Sequence, residues 1–191
     1  MENKDRKYIY REFIAGFQED QIFRGTEEKE WQWNNFICED VLHLLGFFTD
    51  PASTKYHGSY EGGLFDHSLQ VASELYKLTD KLDLKWERAC SPLVVGLYHD
   101  LCKCGSYNKM TNGTYEYNRD QILPGHGDKS IIMIQKYISL TDEEIACIRW
   151  HMGAYETDTK MWDYYGRAIE KYPNVLYTHT ADMIASKIRG I

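Results

Sequence analysis

Two adjacent residues, His99 and Asp100, close an apolar run over residues 94–98. Buried and unpaired, an imidazole and a carboxylate would each lose hydration at high cost, so they must be hydrogen-bonded or metal-bound. The same two chemistries recur at helix-sized intervals along the chain. His67 sits in GGLFDHSLQV, His126 in PGHGDKS, His151 in IRWHMG and Asp182 in HTADMIAS. Neutral imidazoles mixed with carboxylates suit Mn, Fe, Co, Ni or Zn, whereas carboxylates alone lean toward Mg or Ca. No cysteine falls within this set, which argues against a thiolate zinc site. On a regular helix His99 and Asp100 would point about 100° apart. A helix end that frays at this point lets both turn toward one centre, and the two oxygens of Asp100 can bridge two ions.

Each residue also has an ordinary structural reading. His67 suits an amphipathic helix with its ring bonded to a backbone carbonyl. His126 suits a helix start, and His151 suits a helix C-terminus, where the dipole favours a cation. Asp182 could pair with Lys187 or Arg189. Of the remaining histidines, His43 fits the apolar stripe of its helix and reads as structural. His179 lies three residues before Asp182 on nearly the same face. His57 precedes the GGLFDHS run.

The elements that must position these residues are mostly helical. Apolar residues recur at the helical period over 6–20, and over a stretch that Thr26 can cap and that runs to about residue 48. Residues 50–63 are loop by their Pro, Ser and Gly content. A helix over 64–82 carries His67. Ser91 and Pro92 read as an N-cap and first helical residue, opening a helix that ends near Lys103. Asn112-Gly113 between strand-like runs predicts a hairpin with a two-residue type I′ turn. Helices follow over 125–138, after a Thr141/Glu144 capping box, and over 159–171 and 173–188, the last started by Pro173. The expected fold class is all-α with one small β-hairpin inserted after the His-Asp pair. The chain of 191 residues, 43% hydrophobic, suits one domain over 1–191.

The ordered set His67, His99-Asp100, His126, His151, Asp182 resembles the H…HD…H…H…D signature of the dinuclear branch of the HD-domain metal-dependent phosphohydrolase superfamily. Lys103 matches its frequent HD-x-x-K extension. The resemblance covers about residues 55–188 and implies an HD helical bundle, with the N-terminal helices of 1–50 packed on it. It implies one metal on His67, His99, Asp100 and Asp182 and a second on Asp100, His126 and His151. The expected cofactor is therefore one or two divalent transition ions (Mn, Fe, Co or Ni, with Mg or Zn as alternatives). Two such metals can activate water and clamp an in-line displacement at phosphorus. In that chemistry Asp100 is catalytic as the bridge, and Lys103 is the candidate to neutralise a phosphate oxygen. His57 is expected at the pocket mouth, because HD-type exoribonucleases carry a similar H…GGL…H run. Tyr155 and Tyr107 are candidates to stack on a base, and Asp66 and Asp128 to orient ligand imidazoles.

The expected reaction is hydrolysis of a phosphoester or phosphoanhydride in a small anionic nucleotide or dinucleotide. A short single-stranded oligonucleotide exonuclease and an HD-type di-iron oxygenase are alternatives from the same ligand set, and a non-catalytic HD scaffold is a third. No GYP motif occurs, which disfavours a cyclic dinucleotide phosphodiesterase of that branch. A net charge of −7 argues against a duplex-binding surface. The five cysteines are odd in number and read as reduced thiols. With no apolar leader and no run of about 18 apolar residues, a cytoplasmic protein without membrane contact is expected. Oligomeric state is not legible.

Overall fold

Every residue of one central helix, Ser91–Tyr98, is buried. Its sequence is apolar on all sides, as a helix covered on all sides requires. The computed structural model describes residues 3–18, 33–123, 125–153 and 159–191. Among these the order is α1 (Asn3–Gln18), α2 (Glu39–Leu45), α3 (Gly63–Leu82), α4 (Ser91–Tyr98), β1 (Tyr107–Lys109), β2 (Tyr115–Tyr117), α5 (Gly127–Ile134), α6 (Asp142–Trp150), α7 (Trp162–Lys171) and α8 (Asn174–Met183). The all-α expectation with one small hairpin therefore holds. The strands pair antiparallel, with Asn108 opposite Glu116. No helix among the described residues is long and apolar enough to cross a membrane.

Helices α3, α6 and α8 pack around α4. At Gly96 a Cβ would lie 2.4 Å from Ala72 Cα, so α3 and α4 meet backbone to backbone there. The N-terminal helix α1 is fixed at two points. Tyr10 bonds Ile37 O at 2.7 Å and shares a short hydrogen bond with Tyr98 of α4. Arg6 reaches Asp66 of α3 through Nε at 3.1 Å and Nη2 at 3.0 Å. The arginine lies against Gly62, which has φ +81° and room for no side chain.

Several boundaries differ from the sequence expectation. Thr26 and the first residues of the helix it was expected to cap, 27–32, lie outside the described residues. The rest of that stretch is a 3₁₀ turn, Trp33–Asn35, followed by the short α2. The reason is that Ile37 gives its N–H to Tyr98 Oη and its carbonyl to Tyr10, not to helical partners. Ser91 is the first helical residue after Cys90, not the cap, and its hydroxyl donates to Glu144 instead. The helix expected to run to Lys103 stops as an α-helix at Tyr98, and Leu101–Lys103 form a 3₁₀ turn. The hairpin has no two-residue type I′ turn. Gly113 alone takes positive φ, because the Asn112 side chain accepts Thr114 N–H at 3.0 Å and holds its own backbone in the ordinary region.

The capping box at Thr141 and Glu144 is present. Glu144, fully buried, also takes Arg88 Nε and Nη2, each at 2.7 Å. This clamp ties the loop before α4 to the start of α6. Replacing Glu144 by Ala leaves the guanidinium without its counter-ion, and removing one partner of a buried pair costs about 3–5 kcal/mol. Urea unfolding should register that loss; a change under about 1 kcal/mol would show the clamp to be marginal.

Candidate metal centre

Five elements deliver the histidines and aspartates. His67 projects from the second turn of α3. His99 and Asp100 follow α4, where the backbone leaves the helix: Asp100 has φ −108° and ψ 20°. This bridge-region conformation is what lets neighbouring side chains face one centre. His151 ends α6, Asp182 lies in α8, and His126 precedes α5. A Cβ on Gly127 would meet Arg149 O at 2.5 Å, so the start of α5 abuts the end of α6.

His67, His99 and His151 are wholly inaccessible, and Asp100 is 3% exposed. Each imidazole is oriented by a main-chain carbonyl. His99 Nδ1 bonds Gly96 O at 2.9 Å, His151 Nδ1 bonds Ile148 O at 2.7 Å and His67 Nδ1 bonds Ile191 O at 2.9 Å. Such an oxygen only accepts, so each Nδ1 carries a proton, and Nε2 is the ring atom turned toward the centre. Those three Nε2 atoms and Asp100 Oδ1 are buried without a hydrogen bond; among the described residues the fifth such atom is Ser68 Oγ. Buried polar atoms are normally satisfied. Here the orphans share one centre: Nε2 of His67 is 3.2 Å from Asp182 Oδ1 and 3.9 Å from Asp100 Oδ2. His99 Nε2 is 3.4 Å from Asp100 Oδ2, and His151 Nε2 is 3.5 Å from Asp100 Oδ1. Imidazole nitrogens and carboxylate oxygens that face one another in this way fit a divalent cation.

His67, His99, Asp100, His151 and Asp182 thus meet, with ligand atoms of His67, His99 and Asp100, and of His99, His151 and Asp182, within 4.8 Å of one another. His126 falls in a further group with Asp100 and Cys102. Its Nδ1 is 3.5 Å from Cys102 Sγ. Burial pushes that thiol up to about 12, so the sulfur is a neutral neighbour.

The electrostatics follow from burial and proximity. Burial alone would raise the Asp100 carboxyl, but Lys103, with Nζ 2.5 Å from Oδ2, and the imidazoles hold it well below the ordinary range. Burial likewise opposes ionisation of Asp182, and His67 with the other imidazoles pulls it below the ordinary range. Burial lowers His99 and His126. At His151 burial acts the same way but Asp100 outweighs it, and the net shift is upward.

The cleft in front of the centre has a volume of about 440 Å³ and is walled by His57, Met152, Met183 and Lys187, with Lys103 and His126 at its base. His57 stands there as expected, its ring centroid 4.7 Å from that of His67, and burial lowers it to about 4. Tyr155 lies outside the described residues, and Tyr107 belongs to the hairpin. Asp66 and Asp128 orient no ligand: the first binds Arg6 and Tyr60, the second Arg149 at 2.7 Å. The carbonyls of Gly96, Ile148 and Ile191 take that role. His43 is exposed, because only Leu42 of α2 is buried. His179 donates to His151 O at 2.7 Å and so supports the turn that holds a ligand. Asp182 turns to His67, and a π-helical turn, Ile184–Arg189, follows it.

The HD domain family matches residues 64–185, and the chain belongs to it. The chain is 33% identical over 70 residues to the dihydroneopterin 2′,3′-cyclic phosphate phosphodiesterase of Methanocaldococcus jannaschii, covering 35% of this chain and 28% of that protein. The match thus spans less than a third of the relative's length. No solved structure matches.

Ligation requires neutral imidazoles, so protons compete with the metal. His151, held up by Asp100, competes at the highest pH. Cobalt(II) affinity is expected to fall at least about ten-fold between about pH 8 and about pH 5.5, on either side of the ordinary imidazole value. Equal affinities in a calorimetric titration would show that these rings are not the ligands.

Proposed function

We propose that this chain is a metal-dependent phosphohydrolase that cleaves a phosphoester or phosphoanhydride bond of a small nucleotide or dinucleotide. The observation that carries the reading is the set of buried Nε2 atoms without a hydrogen bond, directed with Asp100 and Asp182 at one point beneath an open cleft. His67, His99, Asp100 and Asp182 would hold one divalent ion, with His151 facing the same centre. Asp100, His126 and His151 would hold a second. Divalent ions so held supply an activated water and offset charge on phosphate oxygens. Asp100, kept ionised by Lys103, would be the residue shared between the two ions. Lys103 places a positive charge at the base of the cleft, within reach of a phosphate oxygen. His57, kept neutral by burial, lines the entrance without adding charge. Met152 and Met183 give the cleft an apolar wall suited to a planar base, and Lys187 stands at its rim. The relative's action on a cyclic phosphate diester supports phosphodiester chemistry within this class.

A nucleotide panel assayed with Mn, Fe, Co, Ni and Mg tests this. Phosphate or nucleotide release should depend on added metal. Asp100→Ala should lower turnover by at least about 10³-fold, the scale of several kcal/mol of charge stabilisation, with helical circular dichroism unchanged. Oxygen uptake by the iron-loaded protein without phosphate release would favour the oxygenase alternative and contradict the proposal.

A further inference from the structure

A second pocket, about 240 Å³ in volume, opens behind the metal centre and shares Lys103 and His126 with the cleft. The hairpin forms its outer wall through Tyr107 and Tyr117. No acidic side chain lines it. Its floor carries Lys129, from the first turn of α5, which is 8% exposed. The ammonium meets neutral oxygens only, donating to Ser106 Oγ at 2.8 Å and to Gln121 Oε1. No carboxylate pairs with it among the described residues.

A buried cation without a counter-ion is costly unless an anion completes its surroundings. An ammonium has three N–H groups; two are fixed here, which aims the third and holds the charge in place. Several polar groups of the wall are engaged with the protein itself. Asn118 and Gln121 both give their amide N–H to Gly105 O, at 3.1 and 2.8 Å, and the Ser106 hydroxyl donates to Cys102 O at 2.7 Å. What the pocket offers a guest is a fixed positive charge that no carboxylate of the lining offsets.

We propose that this pocket binds a second phosphate group of the substrate, one position along from the phosphate at the metal centre. The inference rests on the phosphohydrolase reading and narrows it. The substrate class is one with at least two linked phosphates, a nucleoside polyphosphate or a dinucleotide joined through them, in place of a nucleoside monophosphate. Lys129 and the wall that holds it set that specificity.

Calorimetric titration of inorganic pyrophosphate into the metal-stripped full-length chain tests the pocket without metal or turnover. A protein that binds pyrophosphate here but hydrolyses no phosphoester would refute the hydrolase reading and leave the pocket standing. Wild type should bind. Lys129→Met should weaken binding at least about ten-fold, equivalent to about 1.4 kcal/mol. Since that variant removes a buried hydrogen-bonding group, Gln121→Glu serves beside it. Gln121 is exposed, and a carboxylate in place of its amide would pair with Lys129 and cancel the charge with little burden on folding. It too should weaken binding at least about ten-fold. No binding to wild type, or wild-type affinity in a folded Gln121→Glu variant, would overturn the proposal.

Discussion

A carboxylate held ionised in a space closed to water organises this protein. Asp100 is almost fully buried, yet the Lys103 ammonium and the surrounding imidazoles keep it charged. Burying such a charge is costly unless a cation or hydrogen-bond donor faces it, and Lys103 does so at Oδ2. The helices meet these demands from several directions, so the site and the core are built by the same contacts. The helical backbone ends at Tyr98 and turns through Asp100, and this single departure places His99 and Asp100 on one centre.

The close packing around α4 serves the same end. Gly96 lets α3 lie against α4, which brings His67 to His99, with ring centroids 5.4 Å apart. Gly127 lets α5 start against the end of α6, beside His151. Arg6 and Tyr10 fasten α1 to α3 and α4 and so brace the layer behind the ligands. Three of the imidazoles then take their tautomer from main-chain carbonyls. Such a carbonyl is fixed by the fold and needs no particular side chain.

That last point explains what the sequence could and could not tell. The histidines and aspartates that meet were legible as a set, because few residue types bind metals and their gaps match helices. The helix around His67 and the capping box at Thr141 were legible from local chemistry. The role of the Gly96, Ile148 and Ile191 carbonyls was not, since every residue has one. Asp66 and Asp128 looked like orienting groups by proximity in sequence, but Arg6 and Arg149 claim them from other elements. The helix expected through Phe36 and Ile37 broke because two tyrosines distant in sequence take the backbone groups of Ile37. Lys129 is buried in the first turn of a helix, where Ser106 and Gln121, on either side of the hairpin, take its ammonium.

A cation is proposed where three buried imidazole nitrogens and two carboxylates face one another, in a chain of the HD domain family. Anomalous diffraction from crystals grown with manganese or cobalt measures it directly. The account predicts a peak bonded to Nε2 of His67 and His99 and to oxygens of Asp100 and Asp182, at about 2.0–2.2 Å. Full occupancy at another location, with these side chains left as they are, would contradict it.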